Sequence, residues 1–222
     1  MDAVIKVGGS LAEAPEVLKA LCVELSRLAK EHSVVVVPGG GKFADAAREY
    51  DKKFNLPPVV AHRLAIVAMD QYGIVLSQLI SDSCMCNKRE DAQRFSKAGK
   101  VPIFLPSRLM FQDGALETSW DVTSDSIAAY IAEKLSTKKV ILVTDVDGVF
   151  TKDPKTHADA KLMPEISVAD LLRREKRTSV DKYLPKILSK SHVACYVVNG
   201  KYPERIKDLL SGEQTICTAV KL

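Results

Sequence analysis

A chain of 222 residues, 46% apolar and 27% charged, is long enough to bury a full hydrophobic core and has the make-up of an ordinary globule, which excludes a disordered or fibrous protein. Its formal net charge of +4 is small for the length, and the lysines and arginines are interspersed with acids, so no nucleic-acid or membrane partner is expected. The five cysteines (Cys22, Cys84, Cys86, Cys195, Cys217) are odd in number and lack the paired spacing of a zinc site or disulfide framework; inert thiols in a reducing cytoplasm are expected.

The chain opens on a short β-branched run, residues 3–7, too soon interrupted by Gly8-Gly9-Ser10 for a signal peptide or a membrane span, and no other apolar stretch approaches bilayer length. Leu11, Val17, Leu18, Leu21, Leu25 and Leu28 then recur at helical spacing. The run 34–37 is continuously apolar, as a strand covered on both faces should be, and it stops at Pro38-Gly39-Gly40-Gly41. Helical spacing returns through Phe43, Ala46, Ala47 and Tyr50, and again after Pro57-Pro58 through Leu64, Met69, Leu76 and Leu79. Residues 101–105 predict the next strand. Ser124 is expected to cap a helix through Ile127, Tyr130, Ile131 and Leu135, before a strand at 140–143. Polar, turn-rich residues 151–164 predict a surface hairpin or lid. Helical pieces around Leu171 and Ile187 precede a buried strand at 194–198, a helix opened by Pro203 and an edge strand within 215–220. Strands alternating with helices imply an α/β fold, an open αβα sandwich with a mostly parallel sheet, whose ligands lie beyond the carboxyl ends of the strands.

The turns at those ends carry the chemistry. Lys6-Val7-Gly8-Gly9-Ser10 sets a lysine near a strand end, two residues without side chains and a hydroxyl at the expected helix entrance, a pattern suited to polyphosphate. By itself it reads equally as a tight turn. It has neither Walker A nor G-x-G-x-x-G spacing, so neither a P-loop enzyme nor a dinucleotide-binding domain is indicated. Gly39-Gly40-Gly41 points further, because three successive glycines carry an entropic penalty that close backbone approach to an anion would explain. Asp125 falls at a helix start, where a carboxylate is favoured with or without function. Thr144-Asp145-Val146-Asp147-Gly148 is a turn or an acidic loop without the calcium-loop pattern. Taken alone, His62 reads as a solvent-facing or capping histidine, Lys186 as an exposed helix lysine and Trp120 as a packing residue.

In this order, the two glycine turns, the Asp125 segment and Thr144-Asp145-Val146-Asp147-Gly148-Val149-Phe150 resemble the amino acid kinase superfamily over nearly the whole chain. The resemblance implies a single domain, 1–222, in which residues 1–135 bind the acceptor and 136–222 bind ATP. It implies that Lys6 stabilises the phosphoryl group in flight, that Gly8, Gly9 and Ser10 contact ATP phosphates, and that Gly39, Gly40 and Gly41 line the acceptor side. Asp125 matches the aspartate that organises the catalytic lysines, and Thr144, Asp145, Asp147, Gly148, Phe150 and Asp153 match the adenosine-binding region. The second catalytic lysine usually follows a Gly-Met pair; Tyr183-Leu184-Pro185-Lys186 keeps the lysine without that pair. Longer runs, among them His62-Arg63-Leu64-Ala65-Ile66, Thr123-Ser124-Asp125-Ser126 and Val197-Val198-Asn199-Gly200-Lys201-Tyr202-Pro203-Glu204-Arg205, look like the archaeal [5-(aminomethyl)furan-3-yl]methyl phosphate kinases of methanofuran biosynthesis. Isopentenyl phosphate kinases use a histidine in the corresponding helix for the acceptor phosphate, which implies that role for His62.

The expected activity is therefore transfer from ATP·Mg²⁺ to a phosphate monoester. Asp45 and Asp70 are the candidate partners of an acceptor amine, no protein-bound metal cage is expected, and the family's habit implies a homo-oligomer. The competing expectations are an isopentenyl phosphate or nucleoside monophosphate kinase of the same fold, and a non-catalytic nucleotide sensor or oxyanion-storage protein.

Overall fold

The structure is a computed structural model that describes residues 1–174 and 178–222. The chain begins with β1 (Ala3–Val7), a 3-10 turn (Gly9–Glu13) and α1 (Pro15–Leu28), followed by β2 (Val34–Pro38), α2 (Gly41–Phe54) and α3 (Pro58–Leu79). Next come β3 (Ser83–Cys86), α4 (Arg89–Lys97), β4 (Val101–Phe104), α5 (Ser107–Asp113) and α6 (Ser124–Lys134). The second half holds β5 (Lys139–Thr144), a hairpin of β6 (Val149–Phe150) and β7 (Leu162–Met163), β8 (Glu165–Ser167), α7 (Val168–Arg173), α8 (Leu184–Leu188), β9 (Ala194–Asn199), α9 (Glu204–Ser211) and β10 (Thr218–Lys221).

One eight-stranded sheet runs in the order β3-β4-β2-β1-β5-β9-β10-β8, parallel except where β10 meets β9. The continuous apolar runs form its centre because helices cover both faces, as parallel sheets require. Alternation along β1 then decides where the chemistry lies. Ala3, Ile5 and Val7 point into one apolar cluster with α1 and α9, and Val4 points into the other with α6, α7 and α8. Lys6 shares Val4's face and so projects toward α6, whose first turn carries Asp125.

Several expectations need correction. The Gly8-Gly9-Ser10 turn opens a 3-10 turn, and α1 starts only at Pro15, where the ring suits a first helical position. Ser124 begins α6 but does not cap it; Thr123 is the capping residue and the capping acceptor comes from elsewhere. The strand near the C-terminus is interior, since β10 lies between β9 and β8, and β3 and β8 are the edges. α3 is long and apolar enough, by length and composition alone, to cross a bilayer. Its Ile66, Met69, Tyr72 and Leu76 are buried in the two apolar clusters, and Gly73 lets it close onto Pro38 and Leu105. The hairpin expected within 151–164 forms, with β6 and β7 at its base.

Candidate active site

The two glycine turns cross at the carboxyl ends of β1 and β2. Gly8 N donates to Val143 O at 2.9 Å and Gly39 N donates to Val7 O at 2.8 Å. A Cβ on Gly9 would overlap the backbone of Gly41, and one on Gly39 would stand 2.6 Å from Gly9 N. Gly41 also adopts φ +52, a conformation that glycine takes without strain. The glycines are thus required first by backbone packing on backbone, a cause that the sequence reading had assigned to an anion. Gly40, Gly41, Gly8, Gly9 and Ser10 line an open cleft, whereas Gly39 lies behind the crossing. α2 starts at this crossing with no side-chain cap and no acidic residue in its first turn, so the positive helix terminus expected after Gly8-Gly9-Ser10 is supplied instead after Gly39-Gly40-Gly41.

The floor of the cleft is an ion pair. Lys6 Nζ stands 2.7 Å from Asp125 Oδ1, with side-chain exposures of 9% and 4%. Among the described residues Asp125 Oδ1 has no hydrogen-bond donor, so it meets the charge of Lys6 alone. Asp125 Oδ2 accepts from Asp181 N at 3.1 Å. The Asp181 carboxylate, 2% exposed, takes six hydrogen bonds: from the backbone N and hydroxyl of both Thr123 and Ser126, and from Tyr183 N and Leu184 N. It is the acceptor that caps α6. Burial and the nearby Asp125 charge push the Asp181 carboxyl above its ordinary pKa, and the donors from Ser126 and Thr123 oppose the shift.

Two walls rise from this floor and enclose about 1280 Å³. One is built from α2, the first half of α3 and residues 119–123, and presents Lys42, Asp45, Arg48, His62, Met69 and Trp120. His62 is 7% exposed; burial lowers its pKa, against a hydrogen bond with the Ser119 backbone that raises it. The other wall carries Thr144, Asp145, Phe150, Lys152, Asp153 and Lys155, with Arg174 and Ser179 nearby. Burial disfavours the charge of Asp145, but the bonded Lys155 ammonium outweighs it and holds the carboxyl below its usual range. Arg174 is held by Phe150 O, to which Nη1 donates at 3.2 Å.

The sequence model of the amino acid kinase family matches residues 1–194. This chain belongs to the amino acid kinase family. It is 37% identical to the [5-(aminomethyl)furan-3-yl]methyl phosphate kinase of Methanocaldococcus jannaschii, over 98% of this chain and 96% of that protein. It is 27% identical to the uridylate kinase of Thermococcus kodakarensis, over 97% of each. Among solved structures, the uridylate kinase of Archaeoglobus fulgidus superposes with a TM-score of 0.78 at 25% identity, over 99% of this chain and 100% of that one. An isopentenyl phosphate kinase substrate complex shares the fold with a TM-score of 0.66 at 22% identity, over 99% of each chain.

Of the residues that the resemblance to amino acid kinases nominated, Lys6, Gly8, Gly9, Ser10, Gly40, Gly41, His62, Asp125, Thr144, Asp145, Phe150 and Asp153 meet at this one cleft. Others do not. Lys186 lies on α8 at the surface, 3.3 Å from Glu117 Oε2 and over the Tyr183 ring. Asp147 turns behind the loop to Arg205 Nη1, 2.6 Å away, and Asn199 Nδ2, 3.2 Å away. Gly148 is pressed against Thr218, whose hydroxyl accepts from Val149 N at 2.7 Å. These two therefore fasten the acidic loop from behind. Asp70 accepts from Ser107 N and Ser107 Oγ at the start of α5 and does not line the cleft. His62 is buried where a solvent-facing ring was the local expectation, and Trp120 forms part of the wall where plain packing was expected.

Sequence reasoning missed Lys42, Arg48, Arg174 and Asp181. For Lys42 a signal existed, since it directly follows the glycine triplet. Arg48 lies one further turn along the helix face that Gly41, Ala44 and Asp45 define, a spacing visible once that face is known to line the cleft. Nothing local marks Arg174, and Asp181 closes the run Thr178-Ser179-Val180-Asp181, which shares the resemblance but carried no role for it.

Proposed function

We propose that the chain transfers the γ-phosphoryl group of ATP to a phosphate monoester, forming a diphosphate, and that [5-(aminomethyl)furan-3-yl]methyl phosphate is the acceptor. The observation that carries this is the buried Lys6–Asp125 pair at the crossing of two glycine turns, between two cation-bearing walls. A cleft of about 1280 Å³ exceeds what one small ligand fills and suits two. In this reading residues 1–135 hold the acceptor and residues 136–222 hold the nucleotide, with the ATP phosphates reaching the Gly8-Gly9-Ser10 turn. Similarity to the Methanocaldococcus jannaschii protein supports the choice of acceptor.

The chemistry needs little from the protein beyond alignment and charge. An oxygen of the acceptor phosphate attacks the γ-phosphorus, the bond to the β,γ-bridging oxygen breaks, and ADP leaves with that electron pair. The nucleophile is already an anion, so no general base is required. Lys6, oriented by Asp125, faces the charge that spreads over the group in flight, and the amides at the start of α2 face the acceptor phosphate. Burial of the Lys6 pair keeps water from screening it. His62 is placed to meet the acceptor phosphate from α3. Mg²⁺ bound to the nucleotide would neutralise phosphate charge. Among the described residues no group of three or more His, Cys, Asp or Glu side chains is arranged as a metal cage.

A cytoplasmic location and self-association belong to the same reading. Free thiols at all five cysteines suit a reducing compartment, and the exposed stripe Val60, Leu64, Val67 and Ile74 along α3 offers an apolar face for a second copy. The decisive experiment is mass spectrometry of products after incubation with ATP and Mg²⁺ across a panel holding the aminomethyl furan phosphate, isopentenyl phosphate and UMP. A diphosphate from the first acceptor, at the highest kcat/KM, is the expected result. Preference for another acceptor would replace the substrate assignment, and ATP use by none would end the kinase reading.

A further inference from the structure

The wall beside His62 carries an arrangement that phosphoryl transfer does not use. On α2, Arg48 Nη1 donates to Asp45 Oδ1 at 2.9 Å, and the guanidinium carbon lies 4.8 Å from the centroid of the Trp120 ring. The indole is fixed from behind, because Trp120 Nε1 donates to Asp51 Oδ2 at 2.7 Å. A cation, a carboxylate and an aromatic face thus meet at one point on the cleft. An organic ammonium asks for the same two partners, a ring face and an anion. Arg48 stands where such a ligand group would bind.

We propose that Trp120 and Asp45 recognise the cationic, ring-bearing end of the acceptor, and that Arg48 occupies this site until the acceptor displaces it. The inference rests on the reading of the cleft as a phosphate-monoester kinase and names the residues that give that kinase its specificity. The other carboxylates of the cleft do not share a cation with the Trp120 ring. Asp125 is held by Lys6 and Asp145 by Lys155, Glu13 lies 3.6 Å from Lys42, and Asp153 belongs to the opposite wall. Ala65, Ile66, Met69 and Val122 line the same cleft and give apolar surface to a flat ring. His62, assigned to the acceptor phosphate, and Trp120 line the same wall of the cleft, as one acceptor that reaches both requires.

Trp120 is the only tryptophan in the chain, so the intrinsic emission of the wild-type protein reports this wall without any substitution. Titration with [5-(aminomethyl)furan-3-yl]methyl phosphate is expected to change that emission saturably, with half-saturation about tenfold lower than for the amine-free 5-methyl analogue. Asp45→Asn should erase most of that preference, read as the ratio of kcat/KM for the two acceptors. Arg48→Met should lower the acceptor's KM, since the internal competitor is gone; a rise would assign Arg48 to the acceptor phosphate and overturn the displacement. Turnover of the acceptor without an emission change, or an unaltered preference in Asp45→Asn, overturns the proposal and leaves the kinase reading intact. No turnover and no emission change with either acceptor sinks both.

Discussion

Lys6 and Lys186 each stand beside a carboxylate, and the sequence resemblance gave both a catalytic role. Lys6 meets Asp125 at 2.7 Å on the cleft floor, with both side chains almost wholly buried. Lys186 meets Glu117 at 3.3 Å on the surface of α8, with exposures of 55% and 60%. The charges are the same and their worth is not. In water the attraction is screened and an exposed pair contributes at most about 1 kcal/mol. In the dry floor the same attraction is several-fold stronger, and a buried charge left without its partner is costly by about 3–5 kcal/mol. The comparison teaches that what suits Lys6 to the proposed catalytic role is the enclosure built around it: a central strand that points it at α6, and a capped helix that holds its partner.

The largest effect is expected at the floor. Lys6→Met removes the buried cation while keeping the length of the side chain, and should lower kcat by about two to three decades. Far-ultraviolet circular dichroism and the acceptor-dependent emission of Trp120 should stay near wild type, separating lost chemistry from lost fold. Activity within a few-fold of wild type would make the buried pair structural and erase the contrast with Lys186.

Next in size is the support beneath the pair. Asp181→Asn keeps the shape of the side chain but replaces one acceptor oxygen by an amide that faces donors. It should destabilise the protein by about 1–3 kcal/mol, measured as a fall in the urea midpoint. Because Asp181 N also positions Asp125, kcat should fall while the KM for ATP changes little. A stability loss with unchanged kcat would show that α6 is capped by Asp181 without Asp125 depending on it.

A smaller effect comes from His62. Burial lowers its folded-state pKa from the ordinary 6.5, so as pH falls below 6.5 the unfolded chain binds a proton that the folded imidazole refuses. Stability therefore drops with falling pH through this group, and is recovered above 6.5, where both states are neutral. Urea titrations of wild type and His62→Gln at successive pH values should show a shallower acid limb in the variant. Equal slopes would place the ring in a wetter setting than its burial indicates.

Much of the floor was legible in the sequence because its parts lie where strands end. Lys6, the glycine pairs and Thr144-Asp145 each follow a continuous apolar run, and parallel connections gather such ends on one rim. What could not be read depends on packing between distant segments. Asp181 caps a helix 55 residues away in sequence from Ser126, and no local pattern announces a cap supplied from that far. Trp120 looked like core because an indole is mostly apolar, yet its Nε1–H needs a partner and finds one in Asp51 of α2. β3 was invisible because Ser83-Cys84-Met85-Cys86 has no β-branched residue, and β8 because three residues carry no period.

The smallest expected effect tests the other half of the comparison. Lys186 matches the family's second lysine by order in the chain, but Lys182-Tyr183 stand where the Gly-Met pair would precede that lysine. In this chain Tyr183 N and Leu184 N donate to Asp181, so the start of α8 is tied to the cap of α6. Leu184, Pro185, Ile187 and Leu188 are buried, which leaves Lys186 on the one face of this short helix that meets solvent. To reach the cleft, its ammonium would have to leave Glu117 and the Tyr183 ring and α8 would have to rotate those apolar side chains into water, at about 1.5–3 kcal/mol for each one exposed. Lys186→Ala should accordingly change kcat/KM by no more than about twofold and stability by less than about 1 kcal/mol, in a coupled assay and a urea melt. A loss comparable to that of Lys6→Met would mean that α8 rearranges when both substrates are bound, and that the surface pair seen here is the resting position of a second catalytic cation.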